Sequence, residues 1–141
     1  MTFYLDTSFV VSVFSKETHS QNALTWLSDN NHLELLTSGW VETEFASAIS
    51  LKIRTGQLEA RDLQSLQSQW QDFRSVKLRD TNMESTDYER AAQMIYMSAT
   101  GLRSGDALHL AICERLNAKI VTFDKGLQKA ADQFNIAATI P

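Results

Sequence analysis

Short apolar runs with the composition of β-strands recur along the chain. They cover residues 3–6, 33–38, 75–80 and 119–124, and a weaker run covers residues 136–140. The runs at 3–6 and 119–124 are almost continuously apolar, which is typical of parallel strands that are covered on both faces. The pattern therefore predicts a mostly parallel sheet of about five strands.

The segments between these runs have apolar residues at helical spacing. The predicted helices cover residues 19–30, 40–54, 59–74, 83–99, 104–117 and about 124–134, and "FVVSVF" begins a further helix after the first strand. The helix at 104–117 is apolar over most of its circumference, so we expect it to be buried. The alternation of strands and helices with short connections predicts a three-layer α/β/α domain that spans residues 1–141 as a single unit.

Local signals predict where several of these helices begin and end. Thr18 and Gln21 have the spacing of a capping box, and Thr81 and Thr86 are each followed by a glutamate three residues later. Gly56 stands where a helix is expected to stop, because glycine readily takes the left-handed conformation of a helix end.

The composition is that of an ordinary globular protein, with 43% hydrophobic and 21% charged residues. The formal net charge of -4 argues against a generic basic nucleic-acid binder. The single cysteine excludes an internal disulfide, and three dispersed histidines give no zinc-binding spacing. No run approaches the ~20 apolar residues that cross a bilayer, and the early apolar run lacks the flanks of a signal peptide. We therefore expect a mature, soluble, cytoplasmic protein without a membrane segment.

Acidic residues stand at the predicted carboxyl ends of two central strands. Asp6 ends the first strand and Asp124 ends the fourth, while Asp106 lies in the first turn of the most apolar helix. Taken singly, each aspartate is explained by capping or turn chemistry. Ligands of open parallel sheets bind beyond this edge, and carboxylates that meet there repel one another unless they are protonated or bridged by a cation. Oxygen ligands without histidine or cysteine favour Mg²⁺ or Mn²⁺.

The helix at 40–54 offers two candidates for a fourth acid. Glu42 and Glu44 flank its apolar stripe on opposite sides. Because both positions are compatible with the helical period, periodicity alone does not choose between them.

The segments that contain these acids resemble the acidic signatures of the PIN-domain ribonucleases, and within that family the VapC-type toxins of bacterial toxin–antitoxin pairs. The segments are "YLDTS" at 4–8, "ETEFASAI" at 42–49, "GDALHLA" at 105–111 and "VTFDKGL" at 121–127. Their order and spacing, and the size of the chain, match a small single-domain member over essentially the whole length. The family's glutamate is followed by a small residue and an aliphatic residue four and five places on, which matches Glu44 rather than Glu42.

The resemblance implies a catalytic pocket of carboxylates that bind Mg²⁺ or Mn²⁺. Its members are Asp6, Glu44, Asp106 and Asp124. Hydroxyl residues would hold the carboxylates in place, and these are Thr7 or Ser8, and Thr122. The metal would direct a water at an RNA phosphodiester and leave a 3′-hydroxyl and a 5′-phosphate. The implied protein partners are a cognate antitoxin that blocks the pocket and a second copy in a homodimer.

Two side chains of the apolar helix have both a structural and a functional interpretation. His109 follows Asp106 by three residues, so a proton shuttle or a metal ligand is conceivable there. Its apolar neighbours favour a packed core histidine, because a hard metal ion needs no imidazole. Cys113 is interpreted as a small buried apolar residue.

Two groups of side chains are candidates for RNA contacts. Basic residues close to the acids in sequence are Arg103, Lys125 and Lys129, and more distant ones are Lys52, Arg54 and Arg61. Surface cations are usually only solvated, so a phosphate contact needs further support. The stripe formed by Leu63, Leu66, Trp70 and Phe73 is interpreted as a packing face rather than as an RNA-stacking surface.

Two alternative functions remain open. A doubly wound phosphatase would use Asp6 as its nucleophile, but the usual second acid two residues later is absent because Ser8 occupies that position. A catalytically silent scaffold would keep the fold and bind a protein partner without a metal. The presence of four candidate acids argues against the scaffold, since a silent domain has no need to keep carboxylates together.

Overall fold

A five-stranded parallel sheet forms the centre of the computed structural model, which describes residues 1–141. The strands are β1 (Thr2–Leu5), β2 (Glu34–Ser38), β3 (Arg79–Thr81), β4 (Lys119–Val121) and β5 (Ala138–Thr139). They lie in the order β3-β2-β1-β4-β5, and every neighbouring pair is parallel. The prediction of a mostly parallel sheet of about five strands is confirmed.

Seven α-helices connect the strands and cover both faces of the sheet. They are α1 (Thr7–Phe14), α2 (Ser20–Asp29), α3 (Gly39–Arg54), α4 (Leu63–Lys77), α5 (Ser85–Met97), α6 (Ser104–Leu116) and α7 (Lys125–Gln133). The chain moves from β1 outward to β3 and then returns across β1 to β4 and β5. Because crossovers are right-handed, this reversal puts α1–α4 on one face and α5–α7 on the other. The contacts of α1 with α2, α3 and α4, and of α5 with α6, agree with the predicted three-layer α/β/α fold.

The helix α6 is the most deeply buried one, as its apolar circumference predicts. Every residue from Ala107 to Cys113 is buried. Burial raises the pKa of the Cys113 thiol well above its ordinary value, which agrees with an inert packing residue. None of the helices combines the length and the apolar character that a bilayer-spanning helix needs.

The apolar stripe of α4 is a packing face, as predicted. Leu66 and Trp70 are buried, and the Trp70 ring packs against Phe14 of α1 and Phe45 of α3. Leu63, at the start of the stripe, remains 37% exposed. This aromatic cluster joins three helices on one face of the sheet.

The predicted strand at 75–80 is wrong in its first half. The helix α4 continues to Lys77, and β3 covers only Arg79–Thr81. Val76 is 75% exposed on the last turn of α4. The strand preference of valine comes from the packing of its side chain on a sheet surface, and the exposed Val76 side chain has no such packing.

The predicted capping residues of two helices are also wrong, whereas one predicted stop is confirmed. The helix α2 begins after His19, whose side chain makes no capping hydrogen bond. The helix α5 begins after Glu84, whose N–H donates to Asp87 Oδ2 at 2.9 Å. Gly56 lies just beyond the end of α3 with φ = +77°, a left-handed conformation that glycine adopts without strain.

Candidate metal centre and active site

Asp6 is held rigidly at the carboxyl end of the central strand. It follows β1 directly and is the N-cap of α1. Its Oδ1 accepts hydrogen bonds from Ser8 Oγ (2.8 Å) and from the Phe9 N–H (3.0 Å), and its Oδ2 accepts one from Thr122 Oγ1 (2.8 Å). The side chain is nearly inaccessible, because Asp6 is only 3% exposed. The strand therefore presents a fixed carboxylate rather than a solvated one.

The hydroxyl of Thr122 connects Asp6 with Asp124. Thr122 follows β4, is fully buried, and accepts a hydrogen bond from the Asp124 N–H at 2.9 Å while it donates to Asp6. The sequence predicted that Asp124 ends a strand, and this is wrong because β4 ends at Val121. Asp124 is instead the N-cap of α7, and its Oδ1 accepts from two backbone N–H groups while its Oδ2 accepts no hydrogen bond.

Glu44 is the acid of α3 that reaches this edge of the sheet. Its Oε1 accepts a hydrogen bond from Thr7 Oγ1 at 2.7 Å and pairs with His109 Nε2, whereas its Oε2 accepts none. Gly105 makes room for Glu44, because a Cβ at position 105 would lie 2.9 Å from Glu44 Oε2. The other acid of the helix, Glu42, points away and is bound by α4 through Trp70 Nε1 and Arg74 Nη1.

His109 is buried, as predicted, but it also contacts a candidate site residue. It is 2% exposed, and its Nδ1 is 2.8 Å from the Tyr4 hydroxyl, which in turn is 2.8 Å from Ser38 Oγ. Its Nε2 faces Glu44, so a chain of buried polar groups supports that carboxylate. The sequence interpretation missed this role. The spacing of three residues from Asp106 was the available signal, because it places His109 on the same face of α6 as Asp106.

Asp106 and Asp124 share one cation. Arg103 Nη2 lies 3.7 Å from Asp106 Oδ2 and 4.0 Å from Asp124 Oδ2, and the Arg103 side chain is 80% exposed. A cleft of about 330 Å³ lies beside these residues and is also lined by Lys129. Of the other cations near the acids in sequence, Lys125 is exposed and makes no ion pair.

The pKa values of three acids of the site are shifted in different directions. Burial raises the pKa of Asp6, although the charge of His109 and three hydrogen bonds oppose the shift. Burial also raises the pKa of Asp106, and the nearby charge of Asp124 raises it further. For Glu44 burial acts in the same direction, but the hydrogen bond and charge of His109 outweigh it and lower the pKa. The negative charge of ionised Asp106 is therefore not fully offset by the nearby cations.

The donor set fits a hard divalent cation. The acids gather at one edge of the sheet, although no three His, Cys, Asp or Glu side chains are close enough together here to hold an ion. Unused acceptor capacity remains on Glu44 Oε2, on Asp124 Oδ2 and on Asp6 Oδ2, which accepts a single bond. Mg²⁺ keeps several waters and often binds through only one or two carboxylates, and Asp106 and Asp124 already share a cation.

Replacement of Thr122 by valine is expected to destabilise the protein by about 1–3 kcal/mol, because it leaves a buried carboxylate oxygen of Asp6 and the Asp124 N–H without a partner. Chemical denaturation of Thr122→Val at neutral pH measures the change. Thr122→Ser, which keeps the hydroxyl, is the matched control and should lose clearly less. Equal losses for both variants would mean that the methyl group, and not the hydrogen bonds, stabilises this edge.

The PIN domain family model matches residues 3–133 of this chain. The chain therefore belongs to the PIN domain family, in agreement with the resemblance seen in its acidic segments. Over 143 aligned residues it is 29% identical to Ribonuclease VapC35 of Mycobacterium tuberculosis, and the alignment covers 98% of this chain and 96% of that protein.

Solved structures with this fold include two bacterial relatives. VapC20 of Mycobacterium tuberculosis, a toxin that cleaves the sarcin–ricin loop, superimposes with a TM-score of 0.71 at 17% identity, over 91% of this chain and 94% of that one. VapBC2 of Rickettsia felis, bound to a DNA fragment from its promoter, gives a TM-score of 0.70 at 18% identity, over 99% and 98% of the two chains. At such identities the likeness concerns the fold alone.

Proposed function

We propose that this protein is a metal-dependent endoribonuclease and the toxin of a type II toxin–antitoxin pair. The observation that carries the proposal is the gathering of Asp6, Glu44, Asp106 and Asp124 at the carboxyl edge of a parallel sheet, where their repulsion calls for a cation. The similarity to Ribonuclease VapC35 over nearly the whole length supports RNA as the substrate.

Asp106, Asp124 Oδ2, Glu44 Oε2 and Asp6 Oδ2 are the groups that would hold the ion. A bound Mg²⁺ or Mn²⁺ supplies a water of lowered pKa and neutralises charge that develops on the phosphate. Thr122 and Ser8 fix Asp6, and Thr7 with His109 fixes Glu44, so these carboxylates need little reordering when the ion enters.

The protein's own cations would bind the substrate. Arg103 lies beside Asp106 and Asp124 with a largely exposed side chain, and Lys129 lines the same cleft. An ion that neutralises the two carboxylates would leave the Arg103 guanidinium free to donate hydrogen bonds to a phosphate of the RNA. His109 does not act as a proton shuttle in this scheme, because its two ring nitrogens are engaged by the Tyr4 hydroxyl and by Glu44.

The proposal includes an antitoxin that covers the acidic pocket, a homodimer, and a cytoplasmic location. The family resemblance supports the two partners, and the VapBC2 structure is that of a relative with the same fold. The single buried free cysteine suits a reducing compartment.

One alternative retains an observation in its favour, and one loses support. A silent scaffold agrees with the absence of a closed three-ligand group in the present arrangement of side chains. A phosphatase with Asp6 as nucleophile is disfavoured, because Ser8 stands where its second acid is expected and Asp6, at 3% exposure, offers little access for direct attack on a substrate.

The function is tested by mapping RNA 5′ ends after brief induction of the protein in bacteria, with Asp6→Asn as the comparison. We expect new 5′-phosphate ends with the unmodified protein and none with Asp6→Asn. The purified protein should cleave RNA with Mg²⁺ or Mn²⁺ and stop when EDTA is added. Cleavage that persists in EDTA, or in Asp6→Asn, would refute the metal-dependent mechanism, and a lack of Mn²⁺ binding by calorimetry would favour the scaffold.

A further inference from the structure

We propose that a cavity beside Asp124 binds one nucleobase of the RNA by stacking it against an aromatic ladder, formed by the exposed ring of His19 and the half-buried ring of Phe123. The inference rests on the proposed ribonuclease function and deepens it, since it positions a nucleotide next to the scissile phosphate. The ring stack, the cavity and the pairing of charges within it carry the argument.

The ladder continues, through Phe123, a stack of rings that begins with Phe9 in the core and ends with His19 at the surface. Phe9 is fully buried, and the Phe123 ring lies nearly parallel to it, with centroids 5.8 Å apart and an interplanar angle of 13°. The exposed ring of His19 stacks on Phe123 with a centroid distance of 4.5 Å and an angle of 7°. The side chain of His19 makes no capping hydrogen bond to α2, although His19 is the N-cap residue.

The cavity next to this ladder reaches Asp124, one of the four acids. Its volume is about 500 Å³, and its lining includes His19, Phe123, Thr7, Ser8 and Asp124. Phe123 directly precedes Asp124, and its N–H donates to Ser8 Oγ at 3.0 Å. The ladder and the acidic edge are thus joined by covalent and hydrogen bonds, so a base held here would fix the distance of its phosphate from the acids.

The charges in the cavity favour a base over a phosphate. The one cation in the lining, Lys52, is paired with Glu17 at 2.6 Å, and its Nζ also donates to Gln57 Oε1. A phosphate would find no unpaired cation there, whereas an aromatic base would meet the exposed ring of His19 and an exposed amide, that of Gln57. Single-stranded RNA is commonly read in this way, by stacking of unpaired bases on aromatic side chains that include histidine.

Two cations line a second cleft, which Asp124 also lines. They are Lys129, which makes no ion pair, and Arg103, which pairs with Asp106 and Asp124, and Asp124 joins this cleft to the aromatic cavity. The RNA strand would therefore cross the acids with a base in the aromatic cavity and a neighbouring phosphate at the cationic cleft. This arrangement would allow a chain whose net charge is -4 to bind RNA.

The test is equilibrium binding of short fluorescent oligoadenylate and oligouridylate by His19→Ala and His19→Phe, in an Asp106→Asn background that prevents cleavage. His32→Ala is the matched control, because His32 is exposed in the connection that precedes β2, at the other edge of the sheet. We expect His19→Ala to weaken oligoadenylate binding about tenfold, and oligouridylate binding less, since stacking strength sets such preferences. His19→Phe should bind within about twofold of the parent, because it keeps a ring.

Equal affinities of His19→Ala and His32→Ala would overturn the proposal, and so would equal losses in His19→Ala and His19→Phe. Cleavage assays of the same substitutions in the otherwise unmodified protein separate the two proposals. If the unmodified protein cleaves RNA and His19→Ala cleaves and binds equally well, only the base-binding cavity is refuted. If the unmodified protein cleaves no RNA but His19→Ala still loses affinity for oligoadenylate, the cavity is supported and the ribonuclease function fails.

Discussion

Asp106→Asn is expected to reduce RNA cleavage by about a thousandfold or more while leaving the fold intact. Asp106 shares Arg103 with Asp124 and stands where the two carboxylates would hold the ion. An amide is a poorer ligand than a carboxylate and does not balance the charge of a divalent ion. Loss of several kcal/mol of transition-state stabilisation corresponds to roughly this change in rate. The rate of cleavage of a defined RNA with saturating Mg²⁺ measures it.

The same substitution should raise the stability of the metal-free protein at neutral pH. Burial and the charge of Asp124 raise the pKa of Asp106 above its value in the unfolded chain, so ionisation of Asp106 costs folding free energy. That cost is absent below the unfolded pKa, grows as the pH rises from the unfolded pKa to the raised folded-state pKa, and is fully present above it. The advantage of Asp106→Asn, measured by denaturation in EDTA, should therefore appear on going from acid to neutral pH.

Asp29→Asn is the matched control, because Asp29 is an exposed aspartate at the end of α2. It should change neither cleavage nor the pH dependence of stability. Mn²⁺ should raise the melting temperature of the unmodified protein and of Asp29→Asn, and should have little effect on Asp106→Asn, because a ligand stabilises only the state that binds it. An Asp106→Asn protein that cleaves RNA normally would remove Asp106 from the site.

His109→Leu is expected to destabilise the protein by about 2–3 kcal/mol and to slow cleavage about 10–100-fold. The leucine fills the buried space but offers no partner to the Tyr4 hydroxyl or to Glu44 Oε1. Glu44 then keeps only its hydrogen bond from Thr7 and loses its fixed orientation. Denaturation in EDTA measures the stability, and initial cleavage rates at several Mg²⁺ concentrations measure the effect on the site.

A purely structural role for His109 predicts a different result. In that case His109→Leu would lose stability, but the fully folded fraction would cleave at the normal rate with an unchanged Mg²⁺ requirement. His109→Gln, which restores a polar side chain toward Glu44, should recover part of the activity if orientation of Glu44 matters. If His109→Leu cleaves normally and keeps its Mg²⁺ requirement, the positioning of Glu44 by His109 is refuted.

The order of the elements could be read from the sequence because each depends on local patterning. The apolar run that leads to Asp6 forms β1, the apolar circumference of the segment at 104–117 forms the buried helix α6, and Gly56 ends α3. The boundary between α4 and β3 could not be read in this way, since the strand preference of Val76 counts only where the side chain packs.

The choice of Glu44 as a site residue came from the family resemblance, and its physical reason comes from the tertiary structure. Periodicity left Glu42 and Glu44 equivalent, and the resemblance selected Glu44. The structure gives the physical difference between them: Glu42 is bound by Trp70 of α4, whereas Glu44 is bound by Thr7 and His109.

By itself the sequence determined a parallel α/β domain with aspartates at the carboxyl edge of its sheet. The periods of strands and helices, and the ends of strands, depend on residues that are neighbours in the sequence. Only the tertiary structure decided which groups meet at that edge. Thr122 reaches Asp6 across 116 residues of chain, and His109 reaches Glu44 across 65. Such contacts depend on the packing of separate elements, and no local period records them.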